Sequence, residues 1–124
     1  MNLAMLAQLA VVVGGLMATG GMSNNKGKIE GTKWVNIKSM INNEQTIPAG
    51  IITLDFKKDG GFVQTILVQR YSGTYLLQTG DHITLKLDEP LDGHTELHAK
   101  FIIDRAVLLM RDSDGTTITF AKSK

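Results

Sequence analysis

The chain has 124 residues, a formal net charge of +1 and no cysteine. This length suits one folded domain, and the near-neutral charge gives no electrostatic basis for a nucleic-acid partner. A sequence without cysteine excludes disulfides, thiol catalysis, Cys-ligated zinc and a lipid anchor on cysteine. All charged side chains lie from Lys26 onward, so the sequence divides into an uncharged N-terminal segment and a charged remainder.

The first predicted element is an apolar helix over residues 1–22. The stretch Leu3–Met22 has only Gln8 and Thr19 as polar side chains. As a helix it would span about 30 Å, the thickness of a bilayer hydrocarbon core, so we expect a single transmembrane helix. The alternative is a cleaved signal peptide: no Lys or Arg precedes the apolar run, although Ala18-Thr19-Gly20 can serve as a cleavage site.

Small residues follow one face of this predicted helix. Ala10, Gly14 and Ala18 are spaced four apart, and Gly15 widens the same face. A face of this kind lets a second helix approach closely within a bilayer. These four residues are therefore predicted to form a helix-packing interface. The other interpretation is that small residues are simply common in membrane segments and signal peptides.

The charges that follow the helix predict its orientation. Four lysines between Lys26 and Lys38 oppose one acid, Glu30, and no basic residue precedes the helix. The positive-inside rule then places the N-terminus outside and the following domain in the cytoplasm, at the inner membrane. Export of a cleaved chain would place that domain in the periplasm instead. Residues 23–28 are predicted to be a short flexible link.

Residues 29–124 show the two-residue alternation of half-buried antiparallel strands. In one such run Ile52, Leu54 and Phe56 share a face, and Asp-Gly or Gly-Asp turns separate the runs. These turns, together with one predicted at Tyr71-Ser72-Gly73, suit tight hairpins. The predicted strands are 29–40, 50–57, 61–70, 73–79, 81–88, 94–104, 106–112 and 115–121. This spacing predicts an all-β antiparallel meander of about eight strands that closes into a barrel.

Four phrases of this domain resemble the recurring motifs of small bacterial lipocalin-like domains. They are IEGTKW, LDFKKDGGF, SGTYLLQTGDHITLKL and DSDGTTITFAK, and the resemblance covers about residues 29–122. It implies a barrel fold and no particular activity. In that family an early Gly-x-Trp opens the first strand. Here Trp34 stands three residues after Gly31, which leaves open whether Trp34 plugs the barrel.

The histidines do not predict a metal site or a catalytic site. His94 and His98 share a strand face but would stand about 13 Å apart at the usual rise per residue, and His82 is expected to face solvent. The sequence has no hydrolase, phosphate-loop or metalloprotease motif. We therefore expect no cofactor. Large inward residues such as Phe56 and Phe101 predict a filled core without a small hydrophobic ligand.

The sequence leaves three functional hypotheses. The first is a non-enzymatic accessory subunit of an integral-membrane complex, respiratory or photosynthetic, with the helix in the lipid bilayer among other membrane-protein subunits. The second is an exported lipocalin-like binding protein without its signal peptide, and the third is an enzyme.

A docking patch is predicted for the first hypothesis. Ile102, Leu108 and Met110 are expected to alternate onto the face opposite the core, beside Arg105 and Arg111. An exposed apolar patch of this kind marks a contact surface. The alternative interpretation is that both strand faces are buried within the monomer.

Overall fold

The structure is a computed structural model. It describes residues 22–37, 39–41, 45–91, 93–111 and 117–123. The predicted membrane helix, apart from Met22, and its predicted interface of Ala10, Gly14, Gly15 and Ala18 lie outside the described residues. Within the described ranges, no helix has the length and apolar character needed to cross a membrane.

The described part of the chain is built from short and medium β-strands. They are β1 (Thr32–Asn36), β2 (Ser39–Ile41), β3 (Gln45–Ile47), β4 (Ile52–Phe56), β5 (Gly61–Ile66), β6 (Gln69–Leu77), β7 (His82–Leu91), β8 (His94–Asp104), β9 (Val107–Arg111) and β10 (Thr117–Ser123). The strand faces alternate between buried and exposed residues, as in β4, where Ile52, Leu54 and Phe56 are buried.

Eight of these strands close into an antiparallel barrel in the order β1-β10-β9-β8-β7-β6-β5-β4. The strand that closes it is β1, in which Lys33 is opposite Ser123 of β10 on one side and Asp55 of β4 on the other. From β4 to β10 each strand pairs with the next, so the barrel is an up-and-down meander. The predicted all-β barrel of eight antiparallel strands is confirmed.

The first strand is shorter than predicted at both ends, and Asn36 marks its C-terminal end. Its Oδ1 accepts hydrogen bonds from the N–H groups of Ile51 and Ile52 at 2.9 and 2.8 Å, and its Nδ2 donates to the Pro48 carbonyl at 2.8 Å. This side chain therefore takes the place of a backbone ladder at the end of the strand. Beyond it, β2 and β3 form a separate hairpin, and Ile47 at the end of β3 is fully buried in the core.

The turn predicted at residues 71–73 is wrong, since these residues lie inside β6. Strands β5 and β6 are instead joined at Leu67 and Val68, because Ile66 pairs directly with Gln69. Leu67 has a φ of 57°, a left-handed conformation for which Gly or Asn is the usual residue. The sequence therefore carries no turn signal at this point.

Aromatic side chains fill the interior of the barrel. The Phe56 ring lies 5.1 Å from Phe62, 5.3 Å from Tyr75 and 5.8 Å from Phe101, between ring centroids. Trp34 is 1% exposed and belongs to the same core cluster, and its Nε1 donates to Thr32 Oγ1 at 2.8 Å. Trp34 therefore does fill the barrel, although its spacing from Gly31 differs from the family pattern.

One end of the barrel is closed by the chain that precedes β1. Ile29 is fully buried, the Asn24 N–H donates to the Gly80 carbonyl at 2.8 Å, and the Gly80 N–H donates to the Met22 carbonyl at 3.0 Å. Residues 23–28, predicted to be a flexible link, are thus hydrogen-bonded to a turn. We call this end, formed by residues 22–31 and the turns at 57–60, 78–81 and 105–106, the base. The opposite end, which carries the β2–β3 hairpin, is the hairpin end.

Candidate functional site

Among the described residues, buried side-chain atoms without a hydrogen-bond partner occur on Asn25, Gln64 and His82, and that of Gln64 lies at an inward-facing strand position. Gln64 lies on β5 between the inward residues Phe62 and Ile66 and is 4% exposed. Its Oε1 is buried and has no hydrogen-bond partner. Across the ladder it is opposite Tyr71, which packs against the core. A buried carbonyl oxygen without a donor is costly, so Gln64 would gain from a bound donor.

A second polar cluster lies on the outer face, where β6, β7 and β8 adjoin. Thr84 Oγ1 lies 2.9 Å from Gln78 Oε1 and 3.1 Å from His98 Nδ1. His98 Nε2 lies 3.1 Å from Glu96 Oε1. A hydroxyl that donates to Gln78 can accept from His98 at the same time, so all three contacts are satisfied when both imidazole nitrogens carry a proton.

This outer cluster contains the functional groups used in nucleophilic catalysis, but a substrate cannot reach them. A hydroxyl, an imidazole and a carboxylate in one chain of contacts are the elements of an activated nucleophile. However, Thr84 is only 2% exposed, and its Oγ1 is held between Gln78 and His98. No substrate carbonyl can reach that oxygen in this arrangement. The cluster instead ties the turn after β6 to β7 and β8.

The sequence missed this cluster because it depends on cross-strand register. Thr84 is opposite His98 in the β7–β8 ladder, while His82 is opposite Lys100. His98 was expected to share a face with His94, which is exposed at the start of β8. His82 is half-buried, not solvent-facing as predicted, and its Nδ1 has no partner. In the described chain, no three His, Asp or Glu side chains are placed to hold a metal ion.

The predicted docking patch is not formed as expected. Leu108 is fully buried and Met110 is 4% exposed, and both belong to the core cluster. They are opposite Ile103 and Phe101, which also face inward. The prediction that Leu108 and Met110 face away from the core is therefore wrong. Because side chains alternate along a strand, an error of one residue exchanges the two faces.

The outer face of β8 and β9 carries a different apolar set. Ile102 is opposite Leu109 in the ladder, and both are half-buried on the outer side. Val107 is 41% exposed on the same side, and Arg111 ends β9 in an exposed position. Arg105 lies in the turn at the base, away from Arg111. Of the five predicted residues, Ile102 and Arg111 thus share this outer β8–β9 face, while Arg105 lies beyond its basal end.

Open grooves lie on the barrel surface. A groove of about 300 Å³ crosses the outer faces of β1, β4 and β5 between Lys33, Asp55 and Thr65. A second groove, of about 510 Å³, lies at the hairpin end where Ser72 and Pro90 face each other. The β6–β7 ladder ends at Gly73 and Leu87, and Pro90 has no N–H with which to extend it.

Tyr75 is the core group whose ionisation bears on stability. It is 7% exposed, and its hydroxyl donates to the Lys57 carbonyl at 2.8 Å. Burial raises the pKa of Tyr75, and the carboxylates of Glu30 and Asp59 raise this pKa further. A raised pKa in the folded state means that the stabilisation is complete below the unfolded value of about 10 and is lost as pH rises through the folded pKa.

We therefore expect the free energy of unfolding to fall above about pH 10. Tyr75→Phe should remove most of this alkaline loss, while the missing hydrogen bond should cost about 1 kcal/mol at neutral pH. Urea denaturation between about pH 8 and pH 11 measures both effects. Tyr71→Phe, on the same strand, is the control. A Tyr75→Phe variant with the same alkaline loss as the original chain would contradict the assignment.

Comparison with known proteins finds solved structures of similar fold. No family model and no curated protein matches the sequence. The chain is similar to the solved structure of a lipocalin-like protein from Bacteroides uniformis, with 20% identity and a TM-score of 0.62, covering 78% of this chain and 100% of that one. It is also similar to an uncharacterized protein from Bacteroides eggerthii, with 16% identity and a TM-score of 0.61, covering 73% of this chain and 97% of that one.

These similarities extend over the closed barrel and concern the fold alone, because the identities are low. They agree with the closed antiparallel barrel described above. Residues 29–123, as far as they are described, therefore form a closed eight-stranded barrel of lipocalin-like fold.

Proposed function

We propose that this chain is a non-enzymatic interaction module, a single-pass accessory subunit that stabilises an integral-membrane protein complex. The observation that carries the proposal is the filled barrel. Phe56 and its aromatic neighbours occupy the centre, Ile29 closes the base, and Ile47 is buried at the hairpin end. A barrel packed in this way binds through its outer surface, because a ligand inside would have to displace core side chains.

The outer β8–β9 face is the surface best suited to a partner subunit. Ile102 and Leu109 pair across the ladder, with Val107 diagonal to them and Arg111 at the end of the strand. Apolar side chains beside a guanidinium are typical of the centre of protein interfaces. Docking here would cover an apolar strip that is otherwise in contact with water.

The N-terminal segment would supply the membrane attachment. Its uncharged residues lead directly to Met22, whose carbonyl is hydrogen-bonded at the base. A helix over residues 1–22 with Ala10, Gly14 and Ala18 on one face would pack against another transmembrane helix. The proposal therefore has two contact surfaces, one within the bilayer and one on the barrel.

Two substitutions, each with a matched control, test these surfaces separately. Gly14→Leu should leave insertion intact but remove the chain from its complex, since leucine separates the packed helices while favouring the bilayer. Leu109→Glu should do the same from the barrel side by placing a charge in an apolar contact. Leu9→Ala and Thr53→Glu, which lie away from these surfaces, should have little effect.

Native gels of membranes solubilised in mild detergent measure complex formation, and a carbonate wash measures insertion. We expect both variants to stay in the membrane during the carbonate wash and to be missing from the complex on native gels. Release of the original chain by carbonate, or intact complexes in both variants, would contradict the proposal.

Gln64 supports one alternative, an exported lipocalin-like binding protein. Its buried Oε1 without a donor is a polar group that a small ligand within the barrel would satisfy. In that case residues 1–22 would be a cleaved signal peptide and the domain periplasmic. The intact mass of the native protein separates the two proposals. A mass near 13.5 kDa supports the membrane subunit, and a loss of about twenty residues supports export.

A further inference from the structure

Basic side chains converge on the base of the barrel. They are Lys26, Lys28, Lys57, Lys58, Arg105 and Lys122, all exposed. None of them forms an ion pair with an acidic side chain in the part of the chain that is described. The base therefore presents six exposed cationic groups at this end of the barrel.

Three acidic residues of the base, unlike the basic ones, form hydrogen bonds with nearby residues. Glu30 accepts from the Gly27 N–H, Asp59 accepts from the Gly61 N–H, and Asp81 accepts from Asn24 Nδ2. These three carboxylates are held by the turns that shape the base. The basic side chains, by contrast, form no ion pair with an acidic side chain in the described chain, and at this end they outnumber the carboxylates of Glu30, Asp59, Asp81 and Asp104.

Three of the basic residues share one groove. Lys28, Arg105 and Lys122 line a depression of about 410 Å³ together with Gly27 and Asp104. Such a depression is large enough for a phosphate group, and three cations around it outweigh the single carboxylate of Asp104. Cationic side chains recognise phosphate by charge-assisted hydrogen bonds.

The turn that carries Arg105 is strained. Arg105 has a φ of 56°, and the turn is closed by the pairing of Asp104 with Val107. Gly or Asn would adopt this conformation at lower cost. This turn places the exposed Arg105 side chain at the base.

The chain also enters the barrel at this end. Met22 is 84% exposed, and the 21 residues before it carry no charge. Ser23 pairs with Gly80, so the chain is held to the base from the second residue that the structure describes. If the segment lies in a bilayer, as in the proposed function on which this inference rests, the base lies within about one Debye length, roughly 8 Å, of the lipid headgroups.

We infer that the base of the barrel docks onto anionic phospholipid headgroups, with a lipid phosphate in the groove between Lys28, Arg105 and Lys122. Docking orients the barrel upright on the membrane and turns the outer β8–β9 face sideways, toward neighbouring subunits. Anionic lipids attract each basic residue near the surface, and the attraction weakens with salt.

The test uses the full chain in vesicles, with one cysteine introduced as a labelling site, since the sequence has none of its own. Ala106→Cys places a donor fluorophore at the base, and Val68→Cys places one at the hairpin end. Energy transfer to a headgroup-labelled lipid is compared in vesicles of phosphatidylcholine alone and with added phosphatidylglycerol. Transfer from position 106 should rise with phosphatidylglycerol and return to the starting value in high salt, while transfer from position 68 should not rise.

Removing any one of the three positive charges of the groove should weaken docking. Lys28→Gln, Arg105→Gln and Lys122→Gln should each lower the ratio of docked to undocked barrel about fivefold. Arg70→Gln, at the hairpin end, is the matched control and should leave the ratio unchanged.

Equal transfer in both lipids, or variants no weaker than Arg70→Gln, would overturn the inference. Inorganic phosphate should weaken docking more than chloride does at equal ionic strength, because it competes with the lipid phosphate for the groove. An equal loss in the two salts would overturn the placement of a phosphate there. A carbonate wash of the same vesicles reports insertion separately. Release by carbonate overturns the proposed function, whereas retention without lipid-dependent transfer overturns only the docking.

Discussion

Gly73→Ala is expected to destabilise the barrel by about 3 kcal/mol or to prevent folding. A Cβ at this position would lie 1.8 Å from the Lys86 carbonyl oxygen and 2.9 Å from the Leu87 Cα. Both atoms belong to the backbone of β7, so the clash cannot be relieved by a side-chain rotation. The strands β6 and β7 would have to separate at the point where their ladder already ends.

Gly61→Ala is the matched control for this substitution. Its Cβ would meet the Asp59 carboxylate at 3.1 Å and the Lys57 side chain at 3.4 Å, and both side chains are exposed and can move. We expect a change of less than about 1 kcal/mol. Urea denaturation followed by the fluorescence of Trp34, the single tryptophan, measures both variants. Equal midpoints would show that β6 and β7 do not approach as closely at Gly73 as described.

Phe56→Ala should lower the free energy of unfolding by about 3–5 kcal/mol. The substitution removes three aromatic contacts at the centre of the core and leaves a cavity that the surrounding strands cannot close, because the barrel is a continuous ladder. Phe56→Leu keeps most of the volume and should lose clearly less. An apolar cavity of this kind binds small hydrocarbons, so benzene should restore part of the stability of Phe56→Ala.

The control for the core substitution is Ile37→Ala, since Ile37 is 42% exposed at the end of β1. Loss of this side chain should cost less than about 1 kcal/mol. If Phe56→Ala proves no more costly than Ile37→Ala, the aromatic cluster does not carry the stability of the barrel.

Most of the barrel could be predicted from alternation and from turns with chemical signatures. Ile52, Leu54 and Phe56 alternate without interruption, and their strand was predicted over 50–57 and found as Ile52–Phe56. Where an Asp-Gly turn precedes a strand, as at Gly60 with its φ of 95°, the predicted boundary at residue 61 is correct. Local backbone requirements and side-chain period agree in these segments.

The errors fall where such signatures are absent. The run Val107-Leu108-Leu109-Met110 is apolar throughout, so its period does not identify the buried face. Its register depends on the turn at Arg105, which has a positive φ without Gly or Asn. At Gly73 the error is the reverse, because a turn signal was assigned where no turn exists. Gly73 lies within β6, and its lack of a side chain lets the β7 backbone approach.

The candidate site was harder to predict than the fold. The contact between Thr84 and His98 requires the register of the whole β7–β8 ladder, and that ladder shifts between Lys86 and Leu91. A register shift of this kind is not visible in the sequence, and a shift by an odd number of residues exchanges the two strand faces. The groove at Lys28, Arg105 and Lys122 joins residues from three distant segments, so only the closed barrel brings them together.

The position of β1 has a consequence for biosynthesis. Strands β4 to β10 pair with their neighbours in sequence and can assemble as a growing series of hairpins while the chain is being made. The ladder between β1 and β10, however, joins Lys33 to Ser123, at opposite ends of the domain. The ribosome must therefore release the last strand before the barrel can close. Until then the outer edge of β1, once it has paired with β4, and the edge of the latest strand stay open.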